Sequence, residues 1–165
     1  MTVRTTGAAA LLVVIAGGVA GCDRDDVDAG SRQVDVLVLA IRDVVSGEGV
    51  SDPDDALPVV YVVGSGEHTV AATVQSDVAA ELHDEIDVRF ADDRDEAIEP
   101  DQPDRPVTDS GVLLVVEEIP EDGDPIDVPI EIYWSERDDS TVVFTFAEGT
   151  SSWVVTATSL VSPDA

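Results

Sequence analysis

Ile126-Asp127-Val128-Pro129-Ile130-Glu131-Ile132-Tyr133-Trp134 alternates apolar and polar side chains over most of its length. That period of two is the mark of a strand with one face buried. Two further runs follow closely. Val142, Phe144 and Phe146 alternate along one, and Trp153, Val155 and Ala157 along the next. The connections Asp138-Asp139 and Glu148-Gly149-Thr150-Ser151 are short and polar, which favours antiparallel hairpins. The three runs therefore read as a C-terminal meander. Pro129 has no N–H for a ladder, so its strand is expected at an edge or bulged at that point. Trp134 and Trp153 fall in phase with the core side of their strands. Tyr133 points to the face opposite Trp134 and is expected at the surface.

Upstream, Val112 to Glu117 is an apolar strand, joined to the meander by the acidic, turn-rich link Pro120 to Pro125. Before it, Asp92 to Ser110 carries Pro100, Pro103 and Pro106 and reads as a long loop with one helical turn near Asp95–Ile98. Ile86, Val88 and Phe90 alternate with Asp87 and Arg89 as a strand. The preceding stretch, Ala71 to Glu85, places Val74, Val78 and Leu82 four apart, an amphipathic helix. Val59 to Val63 is a short buried strand ended by Gly64-Ser65-Gly66, after a loop from Gly49 to Pro58. Ser31 to Gly47 sets Val34, Leu37, Val38, Ile41, Val44 and Val45 on one helical face, with Ser31 as cap and Gly47 as stop. The order predicts an α+β fold: an antiparallel sheet of about five to six strands with two helices packed on one face. A single domain is expected over residues 33–162.

Acidic residues outnumber basic ones 36 to 8 in 165 residues, a formal net charge of −28, and every cation is arginine. Nucleic acid is excluded as a partner, because phosphate binding needs clustered cations. Anionic lipid headgroups are excluded as a docking surface for the same reason. The acidic excess keeps the chain soluble and adds self-repulsion, which salt relieves. Together with the Val, Ala, Asp and Arg bias, this points to halophilic adaptation and a high-GC genome.

The N-terminus carries an address. Arg4 precedes the apolar run Ala8 to Ala20, which has the length of a signal-peptide core and is too short to span a bilayer. The run ends Val19-Ala20-Gly21-Cys22. This resembles the lipobox of bacterial lipoproteins, with Val19 where Leu is commoner. The resemblance implies cleavage before Cys22 and attachment of diacylglycerol to its sulfur. Residues 1–21 are then a signal peptide, and 144 residues remain for one domain of ordinary size. Cys22 is the only cysteine, so it has no intrachain disulfide partner in an oxidising compartment. Residues 22–32 read as an acidic tether reaching at most roughly 35 Å. The expected location is the extracytoplasmic face of a cell membrane, with the lipid on Cys22 as the membrane contact.

Candidates for chemistry are few. Ser65 lies between glycines without the Gly-x-Ser-x-Gly pattern and reads as a turn. Absence of lysine rules out Ser–Lys and Schiff-base catalysis, and acylation of Cys22 rules out thiol catalysis. His68 lies in the strand-to-helix loop, and His83 near the helix end, where the C-terminal dipole suits it. Zinc lacks ligands. Asp52-x-Asp54-Asp55, Asp92-Asp93-x-Asp95-Glu96 and Glu121-Asp122-Gly-Asp124 could each offer oxygens to calcium, though none matches the twelve-residue calcium loop. Tyr61, Tyr133, Trp134 and Trp153 could form a stacking platform, against the plainer reading of core aromatics.

The layout resembles the cystatin-like and NTF2-like cone folds, most closely in the hairpin Thr141 to Ala157, with its Gly turn and Trp-led last strand. That resemblance implies a pocket in which a histidine pairs with a carboxylate as a base. With no convergent catalytic, cofactor or metal set, the reading is a non-enzymatic, lipid-anchored binding module whose field favours an envelope protein with a basic patch. The alternatives are a cone-fold enzyme using His68 or His83, and a divalent-cation-dependent surface scaffold.

Overall fold

The computed structural model describes residues 24–47 and 56–161, with side chains from Gly30 onward in the first segment. The expected signal peptide (residues 1–21), Cys22 and Asp52-Pro53-Asp54-Asp55 lie outside the described residues. The elements run α1 (Arg24–Gly47), β1 (Val59–Gly64), α2 (Ala72–Leu82), β2 (Asp87–Phe90), β3 (Val112–Val116), β4 (Ile126–Ser135), β5 (Asp138–Glu148) and β6 (Trp153–Val161). Short 3-10 turns occupy Arg94–Glu96 and Thr108–Ser110.

The six strands form one sheet in the order β2-β1-β3-β4-β5-β6. The α+β class and the β4–β6 meander are as expected. The sheet is nevertheless mixed: β1 pairs in parallel with both β2 and β3. Parallel neighbours need long crossovers. One is α2, which carries the chain from β1 to β2. The other is the long acidic stretch between β2 and β3, which passes over the opposite face of the sheet and packs Ala97, Ile98 and Val107 against it. The unbroken apolar runs of β1 and β3 follow, because these strands are buried on both sides. The crossover ends at Gly111, where a Cβ would meet the Val59 carbonyl oxygen at 2.8 Å.

Both helices lie on one face. Leu37, Val38, Ile41 and Val44 of α1 and Val74, Val78 and Leu82 of α2 join Val60, Leu114, Ile130, Phe144 and Phe146 in the main core. Val36 and Ala40 are buried too, a wider stripe than the spacing indicates, since α1 meets both the sheet and α2. The described helix runs from Arg24, so Ser31 is an interior residue rather than its cap, and residues 24–32 of the expected tether are helical. Once tertiary packing holds Val36 to Val44, extending a helix costs little per residue, and Gly30 resists it most.

β4 is an interior strand, not an edge. Pro129 fits because β3 runs out beside it. The β3–β4 register reaches Val116↔Ile130, and beyond it the Glu117 N–H donates to the Pro129 carbonyl at 3.3 Å. Proline cannot return that bond, and the ladder stops there. The irregularity in β4 lies instead between Tyr133 and Ser135. In β6 the register shifts near Thr156, so Phe146 faces Val155 while Thr145 faces Ala157. Trp153 and Val155 pack toward the core as expected, whereas the bulge turns Ala157 to the other face.

Candidate functional site

The second face of the sheet is where the arginines gather. Tyr61, Val63, Leu113 and Tyr133 form a small apolar cluster under the crossover. Arg89 lies 5.5 Å from the Tyr61 ring centre and Arg94 lies 4.3 Å from that of Tyr133. Arg89 donates to the Tyr61 hydroxyl at 2.8 Å and pairs with Asp87 and Asp109. These bonds, that to Asp87 foremost, hold the Arg89 guanidinium above its already high pKa, so it stays charged throughout. Arg94 pairs with Glu131 and Arg105 with Asp95. The Tyr133 hydroxyl donates to the Arg105 carbonyl at 2.8 Å.

Tyr133 is only 4% exposed. It does face away from the helices, but the crossover covers it, so it is not the surface residue expected. Trp153 is likewise covered, with Arg32 at 4.8 Å from its ring. Three of the four aromatic side chains proposed as a stacking platform already stack on this chain's own arginines, and Trp134 packs partly buried against the helix-side core. Sequence reasoning missed this layer. The available signal was the exclusive use of arginine, whose planar group stacks on rings and forks onto carboxylates where lysine does not.

Ser65 and His68 come together at the C-terminal ends of the parallel strands. The Ser65 hydroxyl donates to Glu117 at 2.9 Å, and the His68 N–H donates to the Ser65 carbonyl at 3.0 Å. Gly64 permits this fold-back, because a Cβ there would sit 2.1 Å from the His68 carbonyl oxygen. His68, Gln75 and Asp92 line a niche here with about 10 Å³ of room, the space of a single water and far below a ligand pocket. His83 stands apart at the end of α2, 67% exposed, with Nδ1 2.8 Å from the Ala80 carbonyl and Nε2 3.2 Å from Asp84.

Two of the acidic runs, at Asp92–Glu96 and Glu121–Asp124, serve local structure. Asp93 caps the Arg94–Glu96 turn by accepting from the Asp95 N–H, and Asp124 accepts from the Glu148 N–H at 2.9 Å. Among the described residues, no three His, Cys, Asp or Glu side chains converge as metal ligands. An open cleft of about 450 Å³ lies between α1 and α2, rimmed by Asp35, Asp77 and Glu81.

The six arginines whose side chains are described are all engaged. Arg32 donates to the carbonyls of Pro120 and Glu121, Arg42 pairs with Glu81 and Glu85, and Arg137 pairs with Asp104. With Arg89, Arg94 and Arg105 committed beneath and along the crossover, the surplus carboxylates set the character of the surface. Among the described residues no helix is long and apolar enough to cross a membrane. Neither protein-family models, curated proteins nor solved structures give a match to this chain.

Proposed function

We propose that this chain is a membrane-anchored, extracytoplasmic binding module without catalytic activity. Lipid on Cys22 holds it at the outer face of a cell membrane, and its acidic domain receives an envelope protein that carries a basic patch. The observation that carries this reading is the commitment of every described arginine to an internal carboxylate, carbonyl or ring. The surplus carboxylates leave a net negative field at the surface, which steers cationic partners and repels acidic ones. The lipobox resemblance supports the anchor: a domain of this charge needs a covalent tether to stay beside a negatively charged bilayer.

Cross-linking the native protein in its own membrane, with capture read by mass spectrometry beside a Cys22→Ala control, tests this. One recurrent envelope protein with a basic surface, lost in the control, is the expected result. No recurrent protein, or capture that does not depend on Cys22, overturns it. The same charge excess supports adaptation to a salt-rich habitat. The full chain should then unfold at a higher temperature in molar NaCl than at low salt, and equal melting temperatures would remove that part of the proposal.

A further inference from the structure

The sheet has two edges, and they are built differently. β2 is four residues long, and its Asp87 and Arg89 pair with each other. Short, charged edges of this kind resist pairing with other chains. β6 is nine residues long and reads Trp-Val-Val-Thr-Ala-Thr-Ser-Leu-Val, without a charge, a proline or a glycine. In a chain with 27% charged residues this is the composition that invites another strand. Three of the four exposed large apolar side chains among the described residues, Val154, Leu160 and Val161, lie on it, with Leu160 67% exposed. Among the described residues its guard is the bulge near Thr156, where the Thr156 hydroxyl donates to the Thr145 carbonyl at 3.1 Å.

The ladder shows which groups of β6 are open. The Pro129 carbonyl faces β3, so the even-numbered residues of β4 turn their N–H and C=O to β5. Carried through Ile130↔Val142 and Val143↔Ser159, this leaves Ala157, Ser159 and Val161 bonded to β5. The N–H and C=O of Thr158 and Leu160 then point outward, and no described residue hydrogen-bonds to them.

We infer that this edge binds an extended segment of a partner by strand addition, and that the segment has a β-branched centre with arginine or lysine at both ends. The inference rests on the binding-module reading and names its site and ligand. Both ends of β6 adjoin acid. Glu148 is opposite Trp153, and exposed Asp138 and Asp139 lie two to three residues from Thr141, the partner of Val161. They stand about 10 Å from an added strand, within reach of an arginine and near the screening length of physiological salt. A second copy fits worse. Two-fold pairing of β6 with itself is antiparallel, which sets Glu148 of each copy toward Asp138 and Asp139 of the other, between two domains of the same large negative charge.

A fluorescent peptide with a Val-Thr-Val-Thr-Val core and two arginines at each end is titrated against the full chain by polarisation. Two relatives serve as controls, one with glutamates at the ends and one with prolines replacing the threonines. Binding at least tenfold tighter than either control is expected. Leu160→Pro, which removes an outward donor and no β5 bond, should lose that binding with its melting temperature unchanged. Hydrogen exchange at the Thr158 and Leu160 amides should slow on adding the peptide, a readout that needs no variant. Equal binding of the proline peptide would overturn strand addition while leaving the acidic binding module standing. A dimer of the full chain that disappears in Leu160→Pro would also overturn it, in favour of a second copy. Cross-linking in the membrane tests the module itself and fails or succeeds separately.

Discussion

Leu113 and Leu114 are neighbours on β3, both almost wholly buried, yet they lie beneath different covers. Leu114 points into the layer roofed by α1 and α2, where Leu, Ile, Val and Phe side chains meet and a charge enters at the margin, where Arg32 covers Trp153. Leu113 points to the crossover, where the apolar contacts are few and Arg89, Arg94 and Arg105 bind tyrosines and carboxylates around them. One face is held by area removed from water, the other by directed polar contacts around a small apolar centre. The crossover also contains four non-glycine residues in the left-handed region, Asp104, Arg105, Asp109 and Ser110, a cost that its tertiary contacts must offset. The contrast teaches that a chain short of cations places them where a loop must be fastened.

Leu114→Ala is the largest expected effect, a loss of about 4 kcal/mol, because helices over a sheet collapse little around a cavity. Leu113→Ala should cost about 3 kcal/mol, since a loop settles into the space more readily. Urea denaturation of both variants compares the faces on a single strand, and an equal or larger loss at Leu113 would break the contrast. Arg94→Met keeps the stem but removes the charge over Tyr133 and from Glu131. It should cost about 1 to 2 kcal/mol and make stability less sensitive to salt. Tyr133→Phe removes only the bond to the Arg105 carbonyl and should cost about 1 kcal/mol. Arg42→Gln, at a half-exposed bridge between α1 and α2, should cost less than about 0.5 kcal/mol. If Arg42 mattered as much as Arg94, the polar contacts would not be particular to the crossover face. Native-state hydrogen exchange sharpens the point: amides of residues 92–110 should open at lower free energy than those of β1 and β3.

Much of the fold was legible because periodicity reports which side chains leave water. The alternation from Ile126 to Ile132, the spacing of Val74, Val78 and Leu82, and the continuous run at Val59–Val63 all became the elements they indicate. The parallel pairing was not read, although a strand, a helix and a strand in succession are its ordinary carrier. The prolines and acids of residues 92–110 looked like a loop and concealed a crossover, since Ala97, Ile98 and Val107 are too sparse to show a period. The candidate site was less legible still. Ser65 and His68 were recognised singly, but Glu117 and Asp92, which share their surroundings, are distant in the chain.

Composition and local pattern alone establish the α+β class, the run of elements, the acidic surface and the resemblance of Val19-Ala20-Gly21-Cys22 to a lipid-attachment signal. These depend on residue type and on neighbours within a few positions. The mixed pairing of the sheet, the burial of Tyr133, the turn of Ala157 away from the core and the open edge at Thr158 and Leu160 emerge only in three dimensions. Each depends on which segment lies alongside: whether a crossover covers a ring, where a bulge shifts the register, and whether another described strand pairs with the outer side of β6. A strand's own sequence determines its two faces, but its place in the sheet determines which face is covered and which backbone groups remain unpaired.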